Sequence, residues 1–102
     1  MTVTEKLNGY GPLAGIKVVE MCTYVAAPAP VRVLSEMGAE VIKIESFAGD
    51  TQRTQGPGFG CELTDTEDPT IDLNNTNKNW VSLNLKDPEG LAIAKKMIGE
   101  AD

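Results

Sequence analysis

The stretch from residue 15 to residue 45, GIKVVEMCTYVAAPAPVRVLSEMGAEVIKIE, decides the fold. Its first part, residues 15–21, is short, rich in β-branched residues and bounded by glycine, which predicts a strand. Apolar residues point to both faces of that strand, a pattern typical of a buried parallel strand rather than an edge. Its last part, residues 40–45, alternates with a period of two and predicts a second strand.

A helix is predicted between these strands. Pro28 or Pro30 can occupy its first turn, since a proline there is already in the helical conformation and has no amide hydrogen to satisfy. The helix runs to about Met37, and Gly38 is well suited to end it in the left-handed conformation. Strand, helix and strand together form one βαβ unit, with parallel strands and a right-handed crossover.

The succession of predicted strands and helices stops after residue 45. Residues 46–79 contain glycines, prolines and an acidic cluster. Compact domains seldom carry so long an irregular loop unless it is functional or packs on something else. We expect no regular element here, and a packing partner outside this chain.

A third strand is predicted at residues 80–85, followed by a helix that Asp87 caps and Pro88 opens. Apolar residues at helical spacing predict its buried stripe. They are Leu91, Ala94, Met97, Ile98 and Ala101. The fold class is therefore α/β, with part of a Rossmann-like parallel sheet. Residues 1–11 are expected to be a lead-in, and residues 12–102 the N-terminal part of a larger α/β domain.

Composition excludes several classes of function. The chain has 102 residues, with nine Lys and Arg, fifteen Asp and Glu, no His and a net charge of −6. The residues of this chain cannot form a catalytic system or a metal site built on histidine, and so acidic a composition disfavours a nucleic-acid partner. Cys22 and Cys61 lack a CxxC neighbour, and no apolar run approaches the ~20 residues of a membrane span. We expect a cytoplasmic protein without metal, cofactor, membrane or nucleic acid.

The turn after the first strand is the first candidate site. In open α/β sheets, ligands bind at the carboxyl ends of the strands, where helix N-termini offer free amide hydrogens. The small side chains within the turn at residues 24–28, Ala26 and Ala27, would let a ligand approach the backbone, or would simply pack the helix on the sheet. Lys78 and Lys86 flank the third strand and are possible phosphate contacts. Arg53 could bind an anion or pair with Asp50.

A dinucleotide-binding half-domain is one alternative. Glu45 ends the second strand 25 residues after Glu20, near where an acidic residue would hold a ribose. The G-x-G-x-x-G motif is absent, however, and prolines in the turn remove amide donors that a pyrophosphate needs.

Several short motifs, in order, resemble the opening of the class III CoA-transferases, the formyl-CoA transferase and carnitine-CoA transferase family. They are residues 12–20, Ala26-Ala27-Pro28, residues 38–45, Gly49-Asp50-x-x-Arg53, Gly56-Pro57, Asn77-Lys78 and residues 83–90. The Ala-Ala-Pro variant and the acidic insertion before Asp72 look most like the branch that acts on 2-hydroxy acids such as phenyllactate or 2-hydroxyisocaproate.

The resemblance implies an interlocked homodimer that moves CoA from an acyl-CoA to a carboxylic acid. In the family an aspartate attacks the thioester, giving a mixed anhydride and then an enzyme-bound CoA thioester. That aspartate lies well downstream of the matched region, so we expect it beyond Asp102 and no catalytic residue in this chain.

The resemblance also implies CoA contacts within this chain. Tyr24, Val25 and Ala26 fall where the family's first turn contacts CoA. Leu83 and Lys86 fall where the family holds the adenosine and its phosphates. A non-catalytic module that binds CoA or another nucleotide is the remaining alternative.

Overall fold

The computed structural model of the protein describes residues 10–64 and 67–102. Its strands are β1 (Lys17–Glu20), β2 (Glu40–Glu45) and β3 (Asn79–Ser82), and its helices are α1 (Pro28–Glu36), α2 (Pro69–Asn75) and α3 (Pro88–Gly99). Two 3₁₀ turns, Thr51–Thr54 and Gly56–Phe59, follow β2. Most of the predicted lead-in, residues 1–9, lies outside the described residues, as does Asp65 of the acidic cluster. No helix in the described part of the chain is long and apolar enough to cross a membrane.

The strands form one parallel sheet in the order β1-β2-β3, which confirms the predicted α/β class. The register places Glu20 of β1 beside Lys43 of β2, and Lys43 beside Trp80 of β3. Because neighbours in register share a face of the sheet, these three side chains form one row. Ile44 and Val81, which are also partners, lie on the opposite face.

The two faces of the sheet are covered differently. On the Ile44 face, the buried core consists of Ile44, Leu83 and Ala94 of α3. Partly buried apolar side chains pack around it: Val19, Val81, Leu85 and Met97. On the Lys43 face, polar groups of α1 and α2 meet the sheet, including the Pro28 carbonyl and the Asn75 side chain. The chain therefore has a small apolar core on one side of the sheet, while the other side buries polar groups together with Val41 and Ile71.

Local signals located several elements correctly. Strand β2 has the predicted bounds, and α1 begins at Pro28. Gly38 follows it with a φ of +104°, a conformation that glycine adopts without steric cost. Asp87 caps α3 by accepting a hydrogen bond from the Glu89 amide at 2.9 Å, and Pro88 is its first residue. These signals act over a few residues, so they do not depend on the rest of the fold.

The prediction that residues 46–79 lack regular structure is wrong, whereas the packing partner expected outside this chain stays a prediction. Helix α2 begins there, because Asp68 accepts a hydrogen bond from the Ile71 amide and Pro69 occupies the first turn. It packs on α1, where Arg32 donates a hydrogen bond to the Leu73 carbonyl. A helix of seven residues spans only two turns and is too short to show a hydrophobic period.

Two expectations about burial are also wrong. Strand β1 is an edge strand among the described residues, with Lys17 exposed and only Glu20 buried. Asp102 contacts its outer edge: the Asp102 amide donates to the Lys17 carbonyl at 2.9 Å, and Asp102 Oδ2 accepts from the Lys17 amide at 3.0 Å. In α3, Leu91 and Ile98 are 39% and 48% exposed, since this helix meets the sheet only along the side that carries Ala94 and Met97.

Strand β3 ends at Ser82, three residues earlier than predicted. The next residues turn into α3, and the Asp87 amide donates to the Asn84 carbonyl at 3.1 Å. Leu83 and Leu85 keep their apolar alternation and still pack on the core. Alternation alone therefore overstates the length of this strand.

Two glycines of α3, Gly90 and Gly99, allow a test of how closely this helix packs against the segment after β3. A Cβ at Gly90 would lie 2.2 Å from the Asn84 carbonyl oxygen, whereas one at Gly99 would meet nothing within 4 Å. Gly90→Ala should lower the free energy of unfolding by about 1–3 kcal/mol, because backbone must move. Gly99→Ala should leave it unchanged or raise it by up to about 1 kcal/mol. Urea unfolding of both variants measures the difference, and equal effects would contradict the close approach of α3 to Asn84.

Candidate functional site

A cleft of about 390 Å³ opens at the carboxyl ends of all three strands. Its lining residues come from the segments that follow β1, β2 and β3. They are Met21, Thr23, Ile44, Glu45, Ser46, Phe47, Gly49, Asp50, Leu83, Asn84, Leu85 and Lys86. Because parallel strands end at the same edge, three chain segments distant in sequence meet here. This is the edge at which the sequence predicts a ligand.

Two of the five predicted CoA contacts line the cleft. Leu83 forms part of its floor, and Lys86 lies at its rim with an exposed side chain. Lys86 directly precedes Asp87, the N-cap of α3, so this residue lies next to the positive end of the helix. Tyr24, Val25 and Ala26 do not line the cleft. They form an exposed turn directly after Thr23, which does.

The turn at residues 23–27, hereafter the first turn, has an unusual backbone. Tyr24 has a φ of +70°, a left-handed conformation that costs a bulky residue of the order of 1–2 kcal/mol. Its amide donates a hydrogen bond to Asp50 Oδ1 at 3.0 Å. Beyond it, the Val25 carbonyl accepts the Ala29 amide at 3.0 Å, which joins the turn to α1. The turn is therefore fixed at both ends.

Four charged side chains and one amide form a buried ion cluster beside the cleft. Its members are Glu20, Lys43, Asp50, Asn75 and Lys78. Lys43 Nζ lies 2.6 Å from Asp50 Oδ2, 3.2 Å from Glu20 Oε1 and 2.9 Å from Asn75 Oδ1. The Lys43 and Glu20 side chains are fully buried, and Asp50 as a residue is only 1% exposed. Two carboxylates and two ammonium groups balance within the cluster, which makes their burial tolerable.

Lys78, predicted as a possible anion contact, belongs to this cluster. Its ammonium lies 2.7 Å from Glu20 Oε2 and donates to the Pro28 carbonyl and to Asn75 Oδ1, both at 2.9 Å. Burial lowers the pKa of Lys78, against the opposing effect of the Glu20 carboxylate. All three donors of this ammonium are used inside the chain, at the amino end of β3 and away from the cleft.

Arg53, the other possible anion contact, pairs with Glu45 and not with Asp50. Its Nε and Nη2 donate to the two oxygens of that carboxylate at 2.8 and 2.7 Å. The guanidinium also lies 4.4 Å from the centre of the Trp80 ring, a cation–π distance. The pKa of Arg53 is raised, chiefly by its hydrogen bond to Glu45.

Glu45 is unavailable to a ribose for the same reason. Besides Arg53, its carboxylate accepts the Asp50 amide at 3.1 Å. Burial tends to raise the pKa of Glu45, but the hydrogen bonds from Arg53 and Asp50 outweigh it and lower the pKa. The same balance lowers the pKa of Asp50, where burial is outweighed by hydrogen bonds from the Gln52 amide, Lys43 and the Tyr24 amide.

The sequence analysis did not identify Glu20, Lys43 and Asp50 as members of a buried ion cluster. One signal was present: Lys43 stands between Ile42 and Ile44 in β2, and a charged side chain at such a position favours burial with a partner. The pairing itself depends on strand register, which a single sequence does not reveal. Among residues 10–64 and 67–102, no group of three or more Cys, Asp or Glu side chains is placed to hold a metal ion.

The model of CoA-transferase family III matches residues 13–102. The chain belongs to this family. The match covers most of the chain and confirms the resemblance that the motifs predicted. It also contains every segment that lines the cleft.

Curated relatives of this family III chain share close to half of its residues. It is 46% identical over 90 residues to (R)-2-hydroxy-4-methylpentanoate CoA-transferase of Clostridioides difficile, covering 88% of this chain and 23% of the relative. It is 45% identical over 95 residues to cinnamoyl-CoA:phenyllactate CoA-transferase of Clostridium sporogenes, covering 93% of this chain and 23% of the relative. The chain thus spans less than a quarter of the length of these two relatives.

Solved structures share the fold of this family III chain. A CaiB/BaiF family protein from Brucella suis superposes with a TM-score of 0.79 and 33% identity, over 90% of this chain and 24% of that one. Rv3272 from Mycobacterium tuberculosis superposes with a TM-score of 0.75 and 28% identity, over 91% of this chain and 24% of that one.

The ionised state of Glu45 and Asp50 should make stability depend on pH. Both groups hold protons less tightly in the folded chain than in the unfolded one, where their pKa values are about 4.5 and 3.8. The unfolded chain therefore takes up more protons in acid, and the free energy of unfolding falls as the pH drops through and below this range. Urea unfolding between pH 6 and pH 3 should show this, with a weaker dependence in Glu45→Gln. An unchanged dependence in that variant would contradict the contribution of Glu45.

Removing Lys43 should destabilise the chain strongly. Lys43→Met leaves Asp50 and Glu20 buried with one ammonium fewer, and breaking a buried pair in this way costs about 3–5 kcal/mol. Lys17→Met, an exposed position in the same sheet, is the matched control and should change the free energy of unfolding by less than about 1 kcal/mol. Similar losses in both variants, measured by urea unfolding, would show that the cluster contributes little.

Proposed function

We propose that the protein to which this chain belongs transfers CoA from an acyl-CoA to a carboxylic acid, and that the acceptor is a 2-hydroxy acid. The observation that carries this is the 45–46% identity to two enzymes whose names state CoA transfer, with phenyllactate and 2-hydroxy-4-methylpentanoate as the acids named. Other matching relatives act on dicarboxylic acids, for example a human succinyl-CoA:glutarate CoA-transferase at 37% identity. The higher identity to the first two favours the 2-hydroxy acid branch.

The proposed reaction uses a carboxylate nucleophile. An aspartate oxygen attacks the thioester carbonyl, the CoA thiolate leaves, and a mixed anhydride forms. The thiolate then attacks the aspartyl carbonyl, which releases the donor acid and leaves CoA on the enzyme as a thioester. The acceptor carboxylate and CoA complete the exchange by the same two steps in reverse. No proton transfer by histidine is needed in these steps. We propose that the nucleophile lies outside these residues.

This chain would contribute part of the CoA site. The first turn, with Tyr24, Val25 and Ala26, would contact the bound ester, while Leu83 and Lys86 would hold the nucleotide end. CoA is anionic and the chain carries a net charge of −6, so attraction must be local. Lys86 and the N-terminus of α3 supply positive potential at the cleft rim. The charges of Arg53 and Lys78 are paired internally, so we leave both out of the proposed contacts.

We propose an assembly and location as well. The family resemblance supports a homodimer of interlocked chains acting in the cytoplasm on amino-acid fermentation intermediates. No metal or cofactor is required by the proposed chemistry, in which CoA is a substrate. Sedimentation of the whole protein would show the dimer.

Direct transfer assays test the reaction. The whole protein is incubated with an acyl-CoA and either phenyllactate, 2-hydroxy-4-methylpentanoate or glutarate, and new CoA esters are identified by mass spectrometry. We expect transfer to the 2-hydroxy acids in preference to glutarate. Preference for glutarate would overturn the acceptor assignment, and CoA binding without transfer to any acid would favour a non-catalytic CoA-binding module.

Lys86 should matter for the phosphates of CoA. Lys86→Ala should raise the Kd for CoA about threefold to tenfold, the effect of one exposed charge on an anion. The Kd for pantetheine, which has no phosphate, should not change. Lys95→Ala, an exposed lysine of α3 outside the cleft lining, is the control and should leave the Kd for CoA unchanged. Isothermal titration measures all three, and equal weakening for CoA and pantetheine would contradict a phosphate contact.

A further inference from the structure

The strained residue Tyr24 and the buried carboxylate of Asp50 are linked directly. Tyr24 keeps a φ of +70° although a tyrosine has no intrinsic preference for that conformation. Such outliers persist only where the surroundings over-determine them, and they concentrate at ligand sites. Here the surroundings include one specific group, since the Tyr24 amide donates to Asp50 Oδ1 at 3.0 Å across 26 positions in the sequence.

The position of Asp50 itself depends on the buried ion cluster. Its Oδ2 accepts Lys43 Nζ at 2.6 Å, and its Oδ1 also accepts the Gln52 amide at 2.9 Å. Its own amide donates to Glu45. Three donors from three different residues therefore fix the orientation of this carboxylate, and the bond from its own amide to Glu45 fixes the backbone. Through the carboxylate, the charge of Lys43 on the central strand determines the shape of a turn that follows β1.

Asp50 also lines the cleft, together with Gly49 and Thr23. It thus joins two cleft walls, the segment after β2 and the first turn after β1. If the cluster served folding alone, its buried ion pairs would be sufficient. The hydrogen bond between Asp50 and the exposed, strained turn would then have no purpose. The outward-facing part of that turn, residues 24–26, is left free to contact a ligand.

We propose that Asp50 is a positioning residue, oriented by Lys43, that holds the first turn in the one backbone shape able to bind a CoA ester. The identity of the ligand rests on the proposed function, whereas the hydrogen bond and its effect on the turn do not. The substrate touches the turn, and Asp50 acts through it.

Asp50→Asn is the first test. Asp50 receives the Tyr24 and Gln52 amides on Oδ1 and the Lys43 ammonium on Oδ2, whereas an asparagine has only one acceptor oxygen. If Lys43 orients this side chain, that oxygen turns to the buried ammonium and the NH2 group then faces the Tyr24 and Gln52 amides. Its charge-matched control is Asp72→Asn, an exposed residue of α2. Two readouts are compared in the whole protein: hydrogen exchange of the Tyr24 amide without ligand, and the Kd for CoA.

We expect the Tyr24 amide to exchange at least tenfold faster in Asp50→Asn, the effect of losing a hydrogen bond to a charged acceptor. Exchange of β2 amides should stay slow. The Kd for CoA should rise about tenfold, and Asp72→Asn should change neither readout. Unchanged Tyr24 exchange in Asp50→Asn would overturn the proposal, and so would faster exchange with an unchanged Kd. Failure of the wild-type protein to bind CoA would instead overturn the proposed function, while the exchange result would still decide whether Asp50 holds the turn.

A second variant applies if Asp50→Asn does not fold. An ester in place of the peptide bond between Thr23 and Tyr24 removes only the Tyr24 donor, and leaves Asp50 and Lys43 in place. Cys22 allows ligation of a synthetic segment at this point. The ester should weaken CoA binding about tenfold, while an ester at an exposed bond of α3 should not. Equal affinity in the two esters would overturn the proposal.

Discussion

The Lys43 ammonium is the group on which the rest of this structure depends. It lies on the central strand with no access to water, and it bonds to side chains from β1, from the segment after β2 and from α2. A buried ammonium is tolerated only when its partners are correctly placed. The partners of Lys43 reach these positions only when the strands pair in the native register and the loop after β2, which carries Asp50, follows its native path. The cluster therefore adds less to stability than to the choice of one arrangement over others.

This constraint places the cleft. The cluster lies on the face of the sheet opposite the small apolar core of Ile44, Leu83 and Ala94. Its outermost member, Asp50, reaches the edge where the strands end, and there it contacts both the first turn and the loop that carries Arg53. The cleft wall at Asp50 is thus held by ion pairs and hydrogen bonds, whereas Ile44 and Leu83 of the apolar core form another part of the lining. The proposed ligand, CoA, is an anion, and this chain has a negative net charge. Pairing of the carboxylates near the cleft with lysine and arginine therefore has a second effect. It removes negative charge that would otherwise repel the ligand.

Much of the local structure follows from short signals. The alternation in β2, the prolines that open α1 and α3, the Asp87 cap and Gly38 each act within a few residues, and all are where the sequence predicts them. Helix α2 was missed because seven residues show no period. The exposure of Leu91 and Ile98 was missed because an apolar stripe does not reveal how much of it finds a neighbour. Of the predicted contacts, Leu83 and Lys86 lie in the cleft, whereas Arg53 and Lys78 are paired with carboxylates of this chain.

The sequence by itself determined the three strands, the helices α1 and α3, the α/β class and the family, since all of these depend on local patterns and their spacing. Only the tertiary structure decided which charges meet. Glu20, Lys43, Asp50 and Lys78 are separated by 7 to 58 positions, as the sequence shows. Whether such groups become solvated or buried partners depends on register and on the path of a loop. Coulombic pairing over a few ångströms is a property of distances in space, and no spacing along a chain specifies it.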